Sequence, residues 1–348
     1  MKKIFISIII SLFLSQDYPI LGSDTSLDIL TWNIENYPKH SQTNIYLEDI
    51  ITQINVDIIA LQEIASQSDF NNLVSLLGPN WEGYRSASTN YGELSYLINT
   101  DRITINSIYT ILEDDAYYFA WREPYVLEFE HQNIDYIMIN NHFKCCGDDN
   151  LDLDDSGDEE YRRLMASILL EEFVDNNFNF QNVIILGDLN DNLTDPPIDN
   201  VFSIFLSQPD KYYFTDFPMA QESNFWEYWS YPTYPSHIDH ILITDELFDD
   251  YSNEESSCST IAIDQYIGGA WSAYDQYISD HRPVFLRLIH NPILGDVNND
   301  DIINILDVVI IVQMIIGNEA QNNNGDFNED GSLNVLDIVL LIEYVINN

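Results

Sequence analysis

The stretch Ile-Ile-Leu-Gly-Asp-Leu-Asn-Asp at residues 184–191 decides how the surrounding sequence is interpreted. With Val183 in front, it begins as an apolar, β-branched run, which predicts a buried strand. Gly187 permits a sharp turn, and Asp188 and Asn190 then point the same way if the extended geometry continues. A carboxylate and a carboxamide at the end of a sheet can hold a water molecule or a phosphate oxygen. Gly-Asp and Asn-Asp are also ordinary turn sequences, so the stretch alone leaves both interpretations open.

Strand-like and helical patterns alternate on either side of this stretch. Runs at 27–34 and 56–61 predict buried strands, and each is followed by a helical pattern, at 44–54 and 69–77. A further helix is expected to end near residue 174. The remaining strands are expected at 94–99, 103–112, 125–129, 134–141, 238–244 and 283–289. Alternation followed by strands in series predicts an α/β fold in which two sheets pack together with helices outside.

The chain is strongly acidic. Its 348 residues include 58 Asp or Glu against 12 Lys or Arg, which gives a formal net charge of −46. Such a surface repels nucleic acid, phosphate and anionic membranes at long range, so an anionic substrate would need local cations. Solubility in a salty medium is the simpler explanation of the acidity. The length leaves room for one large domain and a small one.

The N-terminus is expected to be a signal peptide over residues 1–23. Its apolar run, Ile4 to Leu14, has 11 residues, whereas a membrane span needs about 20. No other stretch suggests a transmembrane segment. Export would permit disulfides, but adjacent cysteines such as Cys145 and Cys146 bridge awkwardly. A bond from either of them to Cys258 is the ordinary possibility, and the sequence does not choose between them.

Residues 296–348 contain one pattern twice, at a spacing of 30 residues. Each copy carries oxygen-bearing side chains at the ligand positions of a calcium-binding loop and is followed by an apolar helix. In the first copy, Asp301 replaces the usual Gly at position 6, so its turn is more strained. The predicted calcium ligands are Asp296, Asn298, Asp300, Asn304 and Asp307, then Asp326, Asn328, Asp330, Ser332, Asn334 and Asp337.

These two loops and their helices resemble a type I dockerin module, joined to the rest of the chain by a linker at 291–295. The resemblance implies a small all-α module that folds around two Ca²⁺ ions and docks onto cohesin domains. The positions that read the partner are apolar here, Ile305-Leu306 and Val335-Leu336. A cohesin-like partner and a structural or surface-sorting tail therefore both remain open.

Further polar side chains follow or interrupt apolar runs, so one rim of the two-sheet fold could collect them. They are Asn33, Glu63, His142, Asp188, Asn190, Asp239, Asp280 and His281. Individually each has a simple structural explanation, such as a helix cap, a core histidine or a turn. Together they are what phosphoester hydrolysis requires: oxygen ligands for a hard divalent cation, an Asp that orients water, and imidazoles that stabilise phosphoryl charge. No Gly-x-Ser-x-Gly motif offers a covalent alternative.

Six motifs, in order over about 27–288, resemble the endonuclease/exonuclease/phosphatase superfamily, which has the fold of pancreatic deoxyribonuclease. They are Thr-Trp-Asn33-Ile-Glu, Leu-Gln-Glu63, Asn-Asn-His142, Gly-Asp188-Leu-Asn190, His237-Ile-Asp239-His240 and Ser279-Asp280-His281. The resemblance implies a four-layer α-β-β-α sandwich of two mixed sheets over residues 24–290. At position 237 the family usually has an Arg or another basic residue, and His237 is a weaker cation at neutral pH.

The resemblance also implies roles for individual residues. Glu63 would be the main ligand of a catalytic Mg²⁺ or Mn²⁺, with Asn33 and Asp280 nearby. Asp188 and Asn190 would hold the attacking water and a phosphate oxygen.

The remaining implied roles concern the histidines and the substrate phosphate. His281, paired with Asp239, would act on the water or the phosphoryl oxygens, and His142 would be a general acid or oxyanion stabiliser. Tyr91-Gly92-Glu93 resembles a place where Glu93 orients the first histidine. Arg122 would contact substrate phosphate, although a surface ion pair is the alternative. Lys144, in a segment that departs from the family, could make a second phosphate contact.

Two stretches have more than one interpretation. The acidic loop at 147–160 partly matches a calcium loop, but Arg163 stands where the last carboxylate should be, so a solvated loop competes with a third calcium site. The aromatic residues between 212 and 234 either pack in the core or form a base-stacking or lipid-contacting surface.

The sequence therefore predicts a secreted, divalent-metal-dependent phosphodiesterase, foremost an extracellular nuclease, whose dockerin-like module could attach it to a cell surface. A phosphatase or a sphingomyelinase-like phospholipase C of the same fold is the alternative. A non-catalytic, calcium-dependent docking protein is the alternative of another class, and the complete set of catalytic motifs argues against it. The sequence carries no information on oligomeric state.

Overall fold

The computed structural model describes residues 17–87, 93–222, 224–291, 293–298, 302–318, 323–328 and 330–347. Four sequence predictions involve other residues. Residues 1–16 of the expected signal peptide, Tyr91 and Gly92 of one family motif, Pro292 of the linker and the predicted calcium ligand Asp300 lie outside the described residues.

The described residues form short strands interleaved with helices, followed by two C-terminal helices. The strands are β1 Leu27–Tyr37, β2 Ile58–Ile64, β3 Trp81–Arg85, β4 Glu93–Asn99, β5 Thr104–Thr110, β6 Tyr125–His131, β7 Ile134–His142, β8 Asn182–Asp188, β9 Tyr212–Phe214, β10 Asp239–Thr244, β11 Ser257–Thr260 and β12 Val284–Leu288. The helices are α1 Thr43–Ile54, α2 Gln67–Leu77, α3 Glu159–Asn177, α4 Ser203–Leu206, α5 Phe217–Gln221, α6 Phe248–Tyr251, α7 Ala270–Tyr277, α8 Ile305–Ile315 and α9 Val335–Asn347.

The strands form two mixed sheets. Within the described residues, one sheet has the order β11-β12-β1-β2-β4-β3 and the other the order β5-β6-β7-β8-β10-β9. One apolar cluster fills the space between the sheets. A second lies between the first sheet and α1, α2 and α7, and a third lies between the second sheet and α3 and α4. The predicted two-sheet α/β sandwich with outer helices is therefore confirmed.

Three strands were not predicted, namely β3, β9 and β11. Each stands at the edge of its sheet. Edge strands are short and only partly covered, so they lack the continuous apolar run that marks a buried strand. β3, for example, has no buried residue. This explains why apolar periodicity identified the sheet centres and not these edges.

The three cysteines are free, so the bond to Cys258 that the sequence left open is not formed. Cys258 lies on β11 and packs against the apolar cluster between the sheets. Cys145 and Cys146 follow β7 and are exposed.

The C-terminal region is helical, as predicted. Helices α8 and α9 pack around a small apolar cluster that includes Val308, Ile311 and Leu341. Asp307 and Asp337, in the first turns of these helices, are fully buried. Asp307 accepts hydrogen bonds from the backbone N–H groups of Val297 and Asn304, at 3.0 and 2.8 Å. Among all described helices, none combines the length and the apolarity needed to cross a membrane.

Candidate active site

Three predicted catalytic residues lie in one row across neighbouring strands of the second sheet. His142 on β7 pairs with Asp188 on β8, and Asp188 pairs with Asp239 on β10. Paired residues of adjacent strands project from the same face of a sheet, so these three side chains point together.

Gly187 has a different role from the one expected. The sequence suggested that the strand turns sharply at Gly187, but β8 continues through Asp188. A Cβ atom at Gly187 would lie 1.9 Å from the carbonyl oxygen of Asn141 on β7, and the φ angle is +139°. Only glycine permits this close approach of the two strands, which places Asp188 beside His142.

The first sheet contributes the residues that face this row. Asn33 lies on β1, Glu63 lies on β2, and Asp280 and His281 immediately precede β12. The Nδ2 atom of Asn33 lies 2.8 Å from Oδ2 of Asp188 and 3.3 Å from Oε1 of Glu63, so it links the two sheets. Glu63 has a φ angle of +63°, which is strained for this residue type and is typical of functional sites.

His281 is held by the two acidic residues of this row, Asp239 and Asp188. Its Nδ1 atom lies 2.8 Å from Oδ2 of Asp239, and its Nε2 atom lies 3.8 Å from Oδ2 of Asp188. Its ring packs on Tyr231, with the ring centroids 4.7 Å apart. Burial acts to lower the pKa of His281, but the charges of Asp239 and Asp188 outweigh it and raise this pKa to about 10. The imidazole is therefore protonated at neutral pH in the metal-free protein.

The carboxyl groups of the site are crowded in a way that suits a cation. Burial and the charges of Asp239 and Glu63 raise the pKa of Asp188 to about 7, and burial and Glu35 raise the pKa of Asp280 to about 6. The Oδ1 atom of Asn33 is buried without a hydrogen-bond partner. An unpaired carbonyl oxygen among crowded carboxylates is a donor set that fits a hard divalent ion. The residues predicted to hold it, Asn33, Glu63 and Asp280, thus fit such an ion.

His142 is buried and neutral. Its Nε2 atom lies 3.4 Å from Oδ2 of Asp188 and 3.9 Å from Oε1 of Glu63. Burial, followed by the charges of Arg122 and His281, holds its pKa well below the usual value. Its Nδ1 atom has no hydrogen-bond partner within the described chain. Glu93, expected to orient His142, instead accepts a hydrogen bond from Ser86 at 3.2 Å.

The two predicted phosphate contacts are already engaged by the protein. Arg122 donates to the backbone carbonyls of His142 and Phe143, at 3.1 and 2.8 Å. Lys144 donates to the carbonyl of Cys145 at 2.7 Å and lies 3.5 Å from Glu159. Asn190 likewise turns its side-chain N–H group to the carbonyl of Phe143, at 3.3 Å.

This pairing extends to every basic residue that the structure describes. Each donates a hydrogen bond to a carboxylate or carbonyl oxygen of the chain. The ten residues are Lys39, Arg85, Arg102, Arg122, Lys144, Arg162, Arg163, Lys211, Arg282 and Arg287. In the part of the chain that the structure describes, each lysine and arginine side chain therefore has a partner within the protein.

Residues 30–281, which include all the residues of this site, match the sequence profile described as the Endonuclease/Exonuclease/phosphatase family. The chain belongs to this family. Members of the family are phosphoester hydrolases that use divalent metal ions, so the chain is an enzyme of that class. Residues 294–346 match the Dockerin type I domain, a calcium-binding docking module.

Solved structures share the fold at low sequence identity. The complex of D. rerio TDP2 with a single strand DNA product has a TM-score of 0.55 and 12% identity, covering 76% of this chain and 99% of that one. Truncated Caenorhabditis elegans TDP2 has a TM-score of 0.53 and 15% identity, covering 76% of this chain and 98% of that one. The catalytic domain of human Nocturnin with a bound sulfate anion has a TM-score of 0.52 and 13% identity, covering 76% of this chain and 93% of that one. No curated protein matches the sequence.

One buried acidic residue that contacts the predicted His237-Ile-Asp239-His240 motif was missed in the sequence. Oδ2 of Asp216 lies 3.0 Å from Nε2 of His237 and 2.6 Å from Nδ1 of His240, and Oδ1 accepts the backbone N–H group of Ile241. Nε2 of His240 lies 2.8 Å from the carbonyl oxygen of Asp191. His237, which departs from the basic residue usual in the family, thus belongs to a buried hydrogen-bond network with Asp216 and His240. Asp216 follows the unpredicted strand β9, which is why no apolar run pointed to it.

Asp216→Asn is expected to destabilise the catalytic domain by about 3–5 kcal/mol, because it leaves buried histidines without their charge partner. Burial acts to raise the pKa of Asp216, but the two histidines hold it well below its usual value. Burial acts to lower the pKa of His240, but Asp216 outweighs it and raises this pKa. The stability that comes from the lowered pKa of Asp216 is present above about pH 4. The stability that comes from the raised pKa of His240 is complete below about pH 6.5. The loss of stability in the variant should therefore be largest between these two pH values. Urea unfolding followed by tryptophan fluorescence measures it. Asp210→Asn, at an exposed position, is the control, and a loss below 1 kcal/mol would contradict the network's role.

Proposed function

We propose that the chain is a secreted phosphodiesterase that hydrolyses nucleic acid with Mg²⁺ or Mn²⁺. One observation carries the proposal. Oδ2 of Asp188 faces three nitrogen atoms: Nδ2 of Asn33 at 2.8 Å, Nε2 of His142 at 3.4 Å and Nε2 of His281 at 3.8 Å. An attacking water and a phosphoryl oxygen both need partners of these kinds.

The roles of the side chains follow from their protonation. Asp188, with a pKa of about 7, suits a general base that orients the water and accepts its proton. The protonated His281, fixed by Asp239, donates a hydrogen bond to the charge that develops on the phosphoryl group. The neutral His142 donates a second one. A divalent ion held by Asn33, Glu63 and Asp280 would add positive charge at a phosphate oxygen.

Single-stranded nucleic acid is the substrate form that the surface favours. Duplex binding depends on neutralising many phosphates with Lys and Arg, and the described basic residues are already paired within the protein. Aromatic side chains near the site offer stacking instead. Phe225, Trp226 and Tyr234 are exposed, and Tyr231 lies against His281. Bases of a single strand can stack on such side chains with little dependence on sequence.

The aromatic residues between 212 and 234 differ in exposure. Tyr212 and Phe214, on β9, are buried in the core, whereas Phe225, Trp226, Tyr228 and Tyr234 are exposed. The same exposed aromatics also favour a second candidate, a sphingomyelinase-like phospholipase C or phosphatase. An aromatic surface can contact lipid, and a zwitterionic headgroup is not repelled by the acidic chain.

The dockerin module supports export and docking. Its helices expose the apolar pairs Ile305-Leu306 and Val335-Leu336, each at least half accessible to solvent. Apolar pairs of this kind fit a cohesin-like partner, with Ca²⁺ shaping the loops in front of them. The enzyme would then act at a cell surface to which the module attaches it.

Substrate turnover tests the proposal. The chain from Asp24 onward, with Mg²⁺ and Ca²⁺, would be offered single-stranded DNA, plasmid DNA, RNA, sphingomyelin and a phosphomonoester. We expect single strands to be cleaved at least about tenfold faster than duplex, consistent with stacking in place of phosphate contacts. Asp188→Ala and His281→Ala are the inactive controls. Turnover of lipid or phosphomonoester without nucleic acid would overturn the nuclease assignment.

A further inference from the structure

Two exposed thiols stand side by side at the rim of the catalytic site. Cys145 and Cys146 follow the row residue His142 by three and four positions, and their Sγ atoms are 2.9 Å apart. This separation is shorter than an ordinary contact between two unbonded sulfur atoms. The mechanism described above uses neither thiol.

The backbone that carries these thiols is fixed by buried side chains. Arg122 holds the carbonyls of His142 and Phe143, as described above. Arg163, which is 2% exposed, donates to the carbonyls of Lys144 and Cys146, at 2.8 and 2.7 Å. Nε of Arg163 is in turn fixed by Asp191 at 2.7 Å. The backbone of Cys145 and Cys146 is therefore fixed by the fold, and this keeps the two thiols adjacent.

The two sulfur atoms have different surroundings. The ammonium group of Lys144 lies 3.9 Å from Sγ of Cys145. The thiol of Cys146 donates its proton toward Cys145, and this hydrogen bond raises the pKa of Cys146. Cys145 is thus the better nucleophile, and Cys146 is placed to react second.

We propose that Cys145 and Cys146 form a thiol–disulfide exchange site for small aliphatic disulfides. The Cys145 thiolate attacks one sulfur of the small disulfide, which releases one small thiol and leaves a mixed disulfide on Cys145. Cys146 then attacks the Cys145 sulfur, its proton passes to the second small thiol as that thiol leaves, and a Cys145–Cys146 bond forms. Two protein thiols are oxidised and one small disulfide is reduced to two thiols.

The product is expected to reopen readily. Adjacent Cα atoms across a trans peptide are about 3.8 Å apart, whereas disulfides usually span about 4.4–6.8 Å. A bond closed under that constraint, at an exposed position, belongs to the labile class of disulfides. The exchange would therefore be reversible and would respond to the balance of thiols and disulfides around the protein.

Treatment of the full chain with oxidised glutathione tests this inference. We expect loss of the mass of two hydrogen atoms, loss of two alkylatable thiols mapped to Cys145 and Cys146, and recovery of both with a phosphine reductant. Cys258 is the internal control, because it is partly buried against the apolar cluster between the sheets and should be alkylated more slowly in the native chain. A lasting glutathione adduct on the wild-type chain, a covalent dimer or no reaction would each overturn the proposal.

Variants separate the two steps of the exchange. Cys146→Ser should stop at a glutathione adduct on Cys145, because the second thiol is missing. Lys144→Gln should slow the first step by about fivefold, because it removes the charge beside Cys145. Equal adduct formation on Cys146 in the Cys145→Ser variant would contradict the assigned order. The readouts are mass spectrometric and do not depend on phosphodiesterase activity, so failure of the proposed function would leave this test intact.

Discussion

Asp188→Asn is expected to lower kcat by about 10³-fold or more, while making the metal-free protein more stable. The loss of activity follows because Asn cannot accept the proton of the attacking water. The gain in stability follows from burial. Asp188 is 1% exposed, and its pKa is raised to about 7 by burial and by the neighbouring carboxylates. In the folded protein without metal, the ionised form of Asp188 is therefore disfavoured.

The sign of the pH dependence follows from that shift. An aspartate whose pKa is higher in the folded than in the unfolded chain costs stability as the pH rises from about 4 to 7. At pH 8 in EDTA, the free energy of unfolding of the Asn variant should exceed that of the wild type by an amount on the order of a few kcal/mol. At pH 4 the two free energies should agree. Urea unfolding followed by tryptophan fluorescence gives both values.

A matched control distinguishes the two effects. Burial and Asp191 raise the pKa of Asp195 to about 7 as well, but its side chain is not part of the catalytic row. Asp195→Asn should therefore stabilise the protein near pH 8 and leave kcat within about twofold. If Asp188→Asn retained a tenth of the wild-type kcat, Asp188 would not be the general base.

Removal of calcium is expected to unfold the C-terminal module and leave the catalytic domain folded. The module has a small apolar cluster. In its second loop the carboxylate of Asp326 accepts the backbone N–H group of Asp330, and that of Asp337 accepts those of Asn328 and Asn334. Without a cation the negative charges of this loop are not compensated. Ca²⁺ at about 1,000 times its dissociation constant would contribute about 4 kcal/mol for each site.

Two spectroscopic signals separate the domains. All six tryptophans lie between residues 32 and 271, so their fluorescence reports only on the catalytic domain. EDTA should reduce the helical circular dichroism signal to the extent expected from α8 and α9, leave the tryptophan signal unchanged, and be reversed by Ca²⁺. Asp337→Ala should reproduce the loss for one loop even with Ca²⁺ present. A circular dichroism spectrum that EDTA does not alter would show that the module folds without calcium.

The buried parts of the fold were predictable from sequence because burial leaves a pattern. The β-branched run before Asp188 and the apolar run before Glu63 marked central strands, and the polar residues that follow them were predicted to meet at one rim. No apolar run pointed to Asp216, because the strand that precedes it is an edge strand of only three residues. The pairing of Arg122 with backbone carbonyls was also invisible, since residue type alone does not show which oxygen a guanidinium reaches.

The row formed by His142, Asp188 and Asp239 has a consequence for how this enzyme could be altered. Neighbouring strands in a sheet are about 4.8 Å apart, a distance fixed by main-chain hydrogen bonds. The interval between the reacting groups is therefore a property of the sheet and not of the loops above it. The turn at 232–235, between the paired residues Tyr231 and Ser236, could be exchanged for turns of other length and composition, and the spacing of the chemical groups beneath would be conserved.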